Sequence, residues 1–295
     1  MKNILLILLM IYPLFGFDED DIYMFRNNIS HYYYRFLDSS TSFLYDKSNY
    51  DYIKKHNKLQ VYIDNKIDDE GHLLSSLSIR ANIKLPKLSN NLYLTVDKDS
   101  DNTNENKDIS KLQEEKQNSR IGLKYYFLKT KNQNIYAKLG GRIKLNNNKI
   151  YLKLGTDRIE KYKYLNTYTY LNEYYYIKDN ALKSELGMDF KKTISKRFNL
   201  SQLNNITFED DSIFYMSNTL LLDQYINRKT ILSYWTTLYS NYDKSFEKDT
   251  VSFNIKYHYL LKKWIFIDMI PSLVKSFQDD KDTKAYFYLN FGFIF

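Results

Sequence analysis

One rhythm dominates this chain from about residue 57 onward: apolar and polar residues alternate singly, in segments of about ten. In "SLSIRANIKLP", Leu77, Ile79, Ala81, Ile83 and Leu85 fall on one side, and Ser78, Arg80, Asn82 and Lys84 on the other. "RIGLKYYF" sets Ile121, Leu123, Tyr125 and Phe127 against Arg120, Gly122, Lys124 and Tyr126. "NIYAKLGGRIKL" sets Ile135, Ala137, Leu139, Ile143 and Leu145 against Tyr136, Lys138, Gly140, Arg142 and Lys144. Successive side chains of a strand point to opposite faces, so each segment separates two solvents. Repeated segments of this length predict a transmembrane antiparallel up-and-down β-barrel, an all-β fold.

The alternation predicts strands at 57–66, 73–86, 91–98, 119–130, 134–145, 149–159, 165–178, 182–195, 198–209, 212–226, 229–241, 250–261, 264–276 and 284–295. That is fourteen; an alternative of twelve makes the segment before residue 90 a cap. "YTYLNEYYYI" alternates poorly, and Pro271 removes a ladder donor inside a proposed strand. The connections sort by parity. Those after odd strands include "KDSDNTNENKDISKLQEEKQNS", "YDKSFEKD" and "FQDDKDT" and hold most of the acid. Those after even strands, such as "KNQ", "EKYKY", "NR" and "KK", are short and mostly basic. Membrane barrels divide long outer loops from short inner turns in this way.

Composition excludes other classes. With 26% charged residues and a negative mean hydropathy, the chain is no bundle of membrane helices. Its 30 Tyr and 18 Phe suit strands and membrane–water interfaces. Only 8 Gly and 3 Pro are available, so turns must use Asn, Asp, Lys and Ser, a deficit unlike a standard porin. The +8 net charge forms no basic helix, so no nucleic-acid partner is expected. Cysteine is absent, which excludes a disulfide framework and a lipidated cysteine.

The N-terminus, "MKNILLILLMIYPLFGF" followed by "DEDD", has the layout of a secretory signal peptide over residues 1–16, so export is expected. Residues 17–56 form a distinct segment. Ile22, Phe25, Ile29, Tyr33, Phe36 and Leu37 recur at helical spacing, which predicts a short periplasmic helix or a plug in the barrel mouth ahead of a barrel over 57–295.

The last segment, "AYFYLNFGFIF", places Ala285, Phe287, Leu289, Phe291, Phe293 and Phe295 on one face, which is expected to meet lipid. Phe291, Phe293 and Phe295 resemble the terminal strand of Gram-negative outer-membrane proteins, which the barrel-assembly machinery reads. The order "SIRANIKLPKLSNNLYLTVD", an acidic spacer, "SRIGLKYYFL", "IYAKLGGRIKL", "YHYLLKKWIFIDMIPSLV" and a final aromatic strand is similar to a family of uncharacterised proteobacterial outer-membrane barrel proteins. The resemblance implies location in the outer membrane, in contact with its lipid, and implies no activity.

Chemistry has few candidates. His258 alternates with Phe253, Ile255, Tyr257 and Tyr259, which puts it on the inner face beside Asn254 and Lys256. Catalysis by an outer-membrane lipid hydrolase needs a serine at a histidine on adjacent strands. Ser252 lies too far along the same strand, and Ser272 or Ser276 would have to approach from a neighbour. No cofactor motif occurs, and the acidic runs 18–21 and 97–108 lack the glycine-centred loop of a calcium site. The polar faces of strands two to six instead form a basic wall of Arg80, Lys84, Arg120, Lys124, Lys138, Arg142, Lys144 and Lys153, against Asp97 and Asp157. Two readings follow. The wall biases a passive pore towards small anionic solutes, or it pairs with Glu185, Asp189, Glu209, Asp223 and Asp268 to fill a structural or adhesive barrel.

Overall fold

The computed structural model describes helical positions 23, 24, 26–33 and 35, and residues 58–85, 88–98, 119–143, 149–209, 214–242, 246–277 and 283–295. The expected signal peptide and Lys144 lie outside the described residues, as does much of the 17–56 segment. Fourteen strands are present: β1 Lys58–Asp68, β2 Leu73–Lys84, β3 Leu92–Lys98, β4 Ser119–Lys129, β5 Gln133–Ile143, β6 Lys149–Lys161, β7 Leu165–Tyr176, β8 Ala181–Thr193, β9 Phe198–Glu209, β10 Phe214–Tyr225, β11 Thr230–Tyr242, β12 Phe246–Lys262, β13 Ile265–Ser276 and β14 Thr283–Ile294. Each pairs antiparallel with its neighbours in sequence, and β1 pairs with β14 from Gln60↔Ile294 to Asp68↔Tyr286, closing a barrel. The twelve-strand alternative is therefore corrected. Without β1 and β2, β14 would carry an unpaired edge into hydrocarbon, where no water satisfies its N–H and C=O groups.

The two faces separate as the alternation predicts. Leu77, Leu139, Ile150 and Leu273 on the outer face are 55%, 53%, 55% and 51% exposed, whereas Glu185, Thr237 and Asn254 on the inner face are 0% exposed. An apolar exterior of this extent is covered by a bilayer, because exposed apolar patches on soluble proteins stay within a few hundred Å².

Pro271 is accommodated at a break in the ladder. The β12–β13 pairing runs through Asn254↔Ser272 and resumes at Tyr257↔Met269, so the missing donor faces an interrupted stretch. On the other side Pro271 keeps its place opposite Phe287. The irregular look of β7 has a different cause: its inner row is Tyr168, Tyr170, Asn172, Tyr174 and Tyr176. Tyrosine reads as apolar in a sequence, so an aromatic inner face against Leu171 and Tyr175 hides the period.

The β1–β2 turn uses Gly71 at φ 85°, and other turns are built on Thr, Ser and Asn, as the glycine shortage requires. Thr130 Oγ1 accepts from the Gln133 amide at 2.8 Å, Ser195 Oγ accepts from the Arg197 amide at 3.2 Å, and Asn227 Oδ1 accepts from the Lys229 amide at 2.8 Å. Asn180 takes φ 49° in the β7–β8 turn, and its Oδ1 accepts the Tyr175 hydroxyl at 2.7 Å. The length contrast between the two ends is narrower than the sequence suggests. It rests on the connection 99–118, while the β2–β3 connection, 85–91, is longer than most on the opposite rim.

Five glycines are spent on the inner face instead: Gly122, Gly140, Gly155, Gly187 and Gly292. A Cβ at Gly155 would sit 2.4 Å from the Tyr136 ring, at Gly187 2.1 Å from Tyr170, and at Gly292 2.0 Å from Phe266. Each ring lies flat across a glycine of the adjacent strand, filling the wall without widening it.

Candidate functional site: the basic inner wall

The charged wall is ordered by register. On β2 to β8 the pairs Lys84↔Tyr93, Tyr93↔Lys124, Lys124↔Lys138, Lys138↔Lys153, Lys153↔Tyr174 and Tyr174↔Lys183 form one lateral row. Barrel strands are tilted, so a row perpendicular to them climbs through the depth of the barrel. Lys84 ends β2 at the rim where β1 begins, Lys124 and Lys138 lie midway along β4 and β5, and Lys183 lies near the opposite rim. A second row, Asp97, Arg120, Arg142 and Lys149, runs nearer that opposite rim. Of the basic residues expected on the inner face, Arg80, Lys84, Arg120, Lys124, Lys138, Arg142 and Lys153 are all brought to it.

Like charges directly opposite each other destabilise a sheet, and Lys124, Lys138 and Lys153 are three in succession. Their local partners are mostly tyrosines. Lys124 Nζ lies 3.5 Å from the centroid of Tyr136 and 4.6 Å from that of Tyr126. Lys153 Nζ donates to the Tyr174 hydroxyl at 2.6 Å, and Lys129 Nζ donates to the Tyr93 hydroxyl at 2.7 Å. The Arg120 guanidinium is 5.4 Å from the Tyr151 ring, and Arg80 is 4.8 Å from Tyr62. Lys138 pairs with Asp97 at 2.7 Å, on the same side of the barrel. Cation–π contacts hold a cation without cancelling its charge.

The tyrosines are fixed in turn. The Tyr136 hydroxyl donates to Asn172 Oδ1 at 2.9 Å, and Asn172 Nδ2 and the Tyr174 hydroxyl donate to Glu185 Oε2 at 3.5 and 3.2 Å. Lys183 stands 3.5 Å from Glu185 Oε1. A fully enclosed carboxylate needs donors of this kind, and in satisfying Glu185 they orient the rings that carry Lys124 and Lys153.

The facing side is different. Strands β9 to β13 interleave the buried Ser201, Asn205, Ser217, Thr219, Ser233, Thr237, Ser252, Asn254 and Ser272 with the buried apolar Leu203, Leu221, Trp235, Ile270 and Val274, and the same face carries Asp223, Lys256, His258 and Asp268. Thr219 and Thr237 bond at 2.8 Å, and Ser272 Oγ donates to Asn254 Oδ1 at 2.5 Å. Sequence reasoning passed over both the tyrosines and this Ser/Thr/Asn side. The signal was present at alternate positions of β9 to β13, but uncharged residues attract no functional reading. Lys124, Lys153, Asp157, Asp223, Lys256 and Asp268 are only partly buried, so water reaches part of the inner face.

Of the acids proposed as partners for the wall, Asp223 accepts Ser233 Oγ at 2.7 Å, and Asp268 bonds His258 Nδ1 at 2.6 Å. His258 thus has an orienting carboxylate directly opposite on β13. The serines named from sequence stand elsewhere. Ser272 donates to Asn254, Asn254 Nδ2 donates to Ser252 Oγ at 3.1 Å, and Ser276 pairs with Thr250 at the far end of the β12–β13 ladder. The residue packed on His258 is Phe266, with centroids 5.1 Å apart.

The C-terminal residues Phe291, Phe293 and Phe295 share the outer face, but that face is not uniformly open. Phe291 is 7% exposed and packs with Ile267 and Leu289. Phe293 and Phe295 lie 6.5 and 6.3 Å from Trp264, centroid to centroid.

A closed antiparallel barrel with an apolar exterior and a polar interior defines the class: a membrane β-barrel. Among solved structures, the chain is similar in fold to the CymD monoaromatic hydrocarbon channel (TM-score 0.53, 6% identity, covering 81% of this chain and 88% of that one). It is likewise similar to the outer-membrane expressed OmpT of Vibrio cholerae (TM-score 0.50, 8% identity, covering 81% and 97%). No family profile matches the chain, and no curated protein does.

Proposed function

We propose that the protein is a passive pore of the outer membrane that favours small anionic solutes. The observation that carries this reading is the climbing row Lys84, Lys124, Lys138, Lys153 and Lys183. A barrel that only had to be filled gains nothing from three lysines in directly opposed positions. A barrel that passes anions needs cations at successive depths, each weak enough to release its ion. On the side opposite, the carboxylates Asp223 and Asp268 are engaged by Ser233 and His258 rather than by the lysine row. Similarity in fold to an outer-membrane expressed protein and to a channel supports the location and the class of function.

Planar-bilayer recording under a KCl gradient tests the reading. Discrete conductance steps with an anion-selective reversal potential are expected, and Lys124→Gln with Lys153→Gln should move that potential towards zero. A refolded barrel without steps, or one selective for cations, contradicts the proposal. A structural barrel is the second reading, favoured by the complete enclosure of Glu185, Thr237 and Asn254. It predicts the absence of steps.

A further inference from the structure

The helical segment at positions 23–35 meets the barrel at two points, and both belong to the outer face. At one end, Tyr23 lies 6.5 Å from Trp264, the Arg26 guanidinium 5.5 Å from the same ring, and Lys262 Nζ 5.7 Å from Tyr23. Trp264 sits in the β12–β13 turn beside Phe293 and Phe295. At the other end, Tyr33, 8% exposed, packs with Ala81, Ile83 and Leu85 and with the flanking Leu59, Leu92, Leu94 and Val96. Ala81 and Ile83 share the face of Leu77 and Ile79, which are 55% and 42% exposed, and the β1–β2 register is continuous across that stretch.

In barrel order the two contact points stand on either side of β14 and β1, the strands that close the cylinder. The dimensions agree. The ten residue steps of helix from 23 to 33 rise about 15 Å, and the three gaps from β13 to β2 span about 14 Å. The helix also has the required sidedness. Arg26, Ile29, Ser30 and Tyr33 are partly or fully buried, while Tyr23, Met24, Asn27, Asn28, His31 and Tyr32 are exposed. On the outer face of β13 and β14 between the two contact points, Ile267, Leu289 and Phe291 form a buried cluster of their own.

We infer that the helix is an external strap across the β1–β14 closing seam, wedged between the barrel wall and the membrane interface, and that it covers the C-terminal aromatic row once the barrel has closed. Met24 and Tyr32, 61% and 69% exposed, point away from the wall into the zone where Tyr and Trp side chains favour headgroups. A strap of this kind docks last, because the faces it joins lie on strands from the two ends of the barrel sequence.

The chain has no cysteine, so paired cysteines report contact without background. In the full chain, folded into vesicles and checked by its heat-dependent gel mobility, Tyr33→Cys with Ile83→Cys should cross-link through a short bis-maleimide. Tyr33→Cys with Asn82→Cys, on the inner face one residue away, should not. Cross-linking of the Asn82 pair in place of the Ile83 pair, or of neither pair in a folded barrel, overturns the strap. Conductance supplies a second readout. Arg26→Ala with Tyr33→Asp should free the helix and leave single-channel conductance unchanged, whereas a rise in conductance would make the segment a plug of the lumen. If no conductance exists in any variant, the pore reading fails while the cross-linking result still decides the strap.

Discussion

At the residue scale, the barrel wall depends on rings laid over glycines. Gly155 and Gly187 leave no space for a methyl group, because a Cβ would fall 2.4 and 2.1 Å from the rings of Tyr136 and Tyr170. Gly141, on the outer face of β5, has nothing within 4 Å of the same construction. Gly155→Ala and Gly187→Ala should each destabilise the folded barrel by about 1–3 kcal/mol, and Gly141→Ala should leave it unchanged or slightly more stable. Thermal loss of the compact gel form measures all three. The consequence reaches the proposed conduction path, because Tyr136 is the ring nearest Lys124 and displacing it moves that charge. These pairings were illegible in the sequence: Gly155 and Tyr136 are brought opposite by register alone. The basic residues were legible, because a charged side chain on an alternating strand has only one tolerable face.

At the element scale, strand existence was legible throughout and strand ends less so. β12 is the clearest case: it begins at Phe246 and runs to Lys262, where alternation alone places it at 250–261. Its first residues, "FEKD", read as acidic loop, yet backbone pairing with β11 continues through Phe246↔Tyr242 past a register shift. The helical segment shows the opposite limit. Its period was visible in Tyr33 and its neighbours, but nothing local tells a helix which wall it will meet. The β1–β2 turn carries a separate expectation. His72 Nδ1 lies 3.0 Å from Asp68 Oδ2, and the hydrogen bond and charge of Asp68, with a smaller contribution from Glu70, raise the imidazole pKa above its ordinary value. A raised value means that the paired, charged form is complete below about pH 6.5 and is lost as pH rises through the elevated midpoint. An NMR titration of the His72 ring should give a midpoint above the ordinary value, and Asp68→Asn should lower it. An unchanged midpoint in that variant would show that Asp68 does not hold the turn.

At the scale of the whole molecule, the fold follows from an alternation sustained through fourteen strands and closed by β1 on β14. The interior is asymmetric: one side sets lysines and arginines against tyrosines, and the other interleaves Ser, Thr and Asn with the apolar Leu221, Trp235, Ile270 and Val274 and carries the bonded carboxylates Asp223 and Asp268. The proposed anion preference belongs to this scale, since no single lysine creates it. Lys138 meets Asp97 and Lys183 meets Glu185, while Lys124 and Lys153 lie against tyrosines. The most direct measurement is cysteine accessibility along β4, one position at a time from Arg120 to Tyr126, in the folded protein in vesicles. With Gly122 left in place, because a Cβ there would fall 2.6 Å from the Leu139 backbone oxygen, a water-soluble anionic thiosulfonate should label Arg120→Cys, Lys124→Cys and Tyr126→Cys, skip Ile121→Cys, Leu123→Cys and Tyr125→Cys, and outpace its cationic counterpart at Lys124→Cys. Equal labelling of neighbouring positions, or labelling confined to the odd ones, would contradict a closed cylinder with a wetted, positively charged interior.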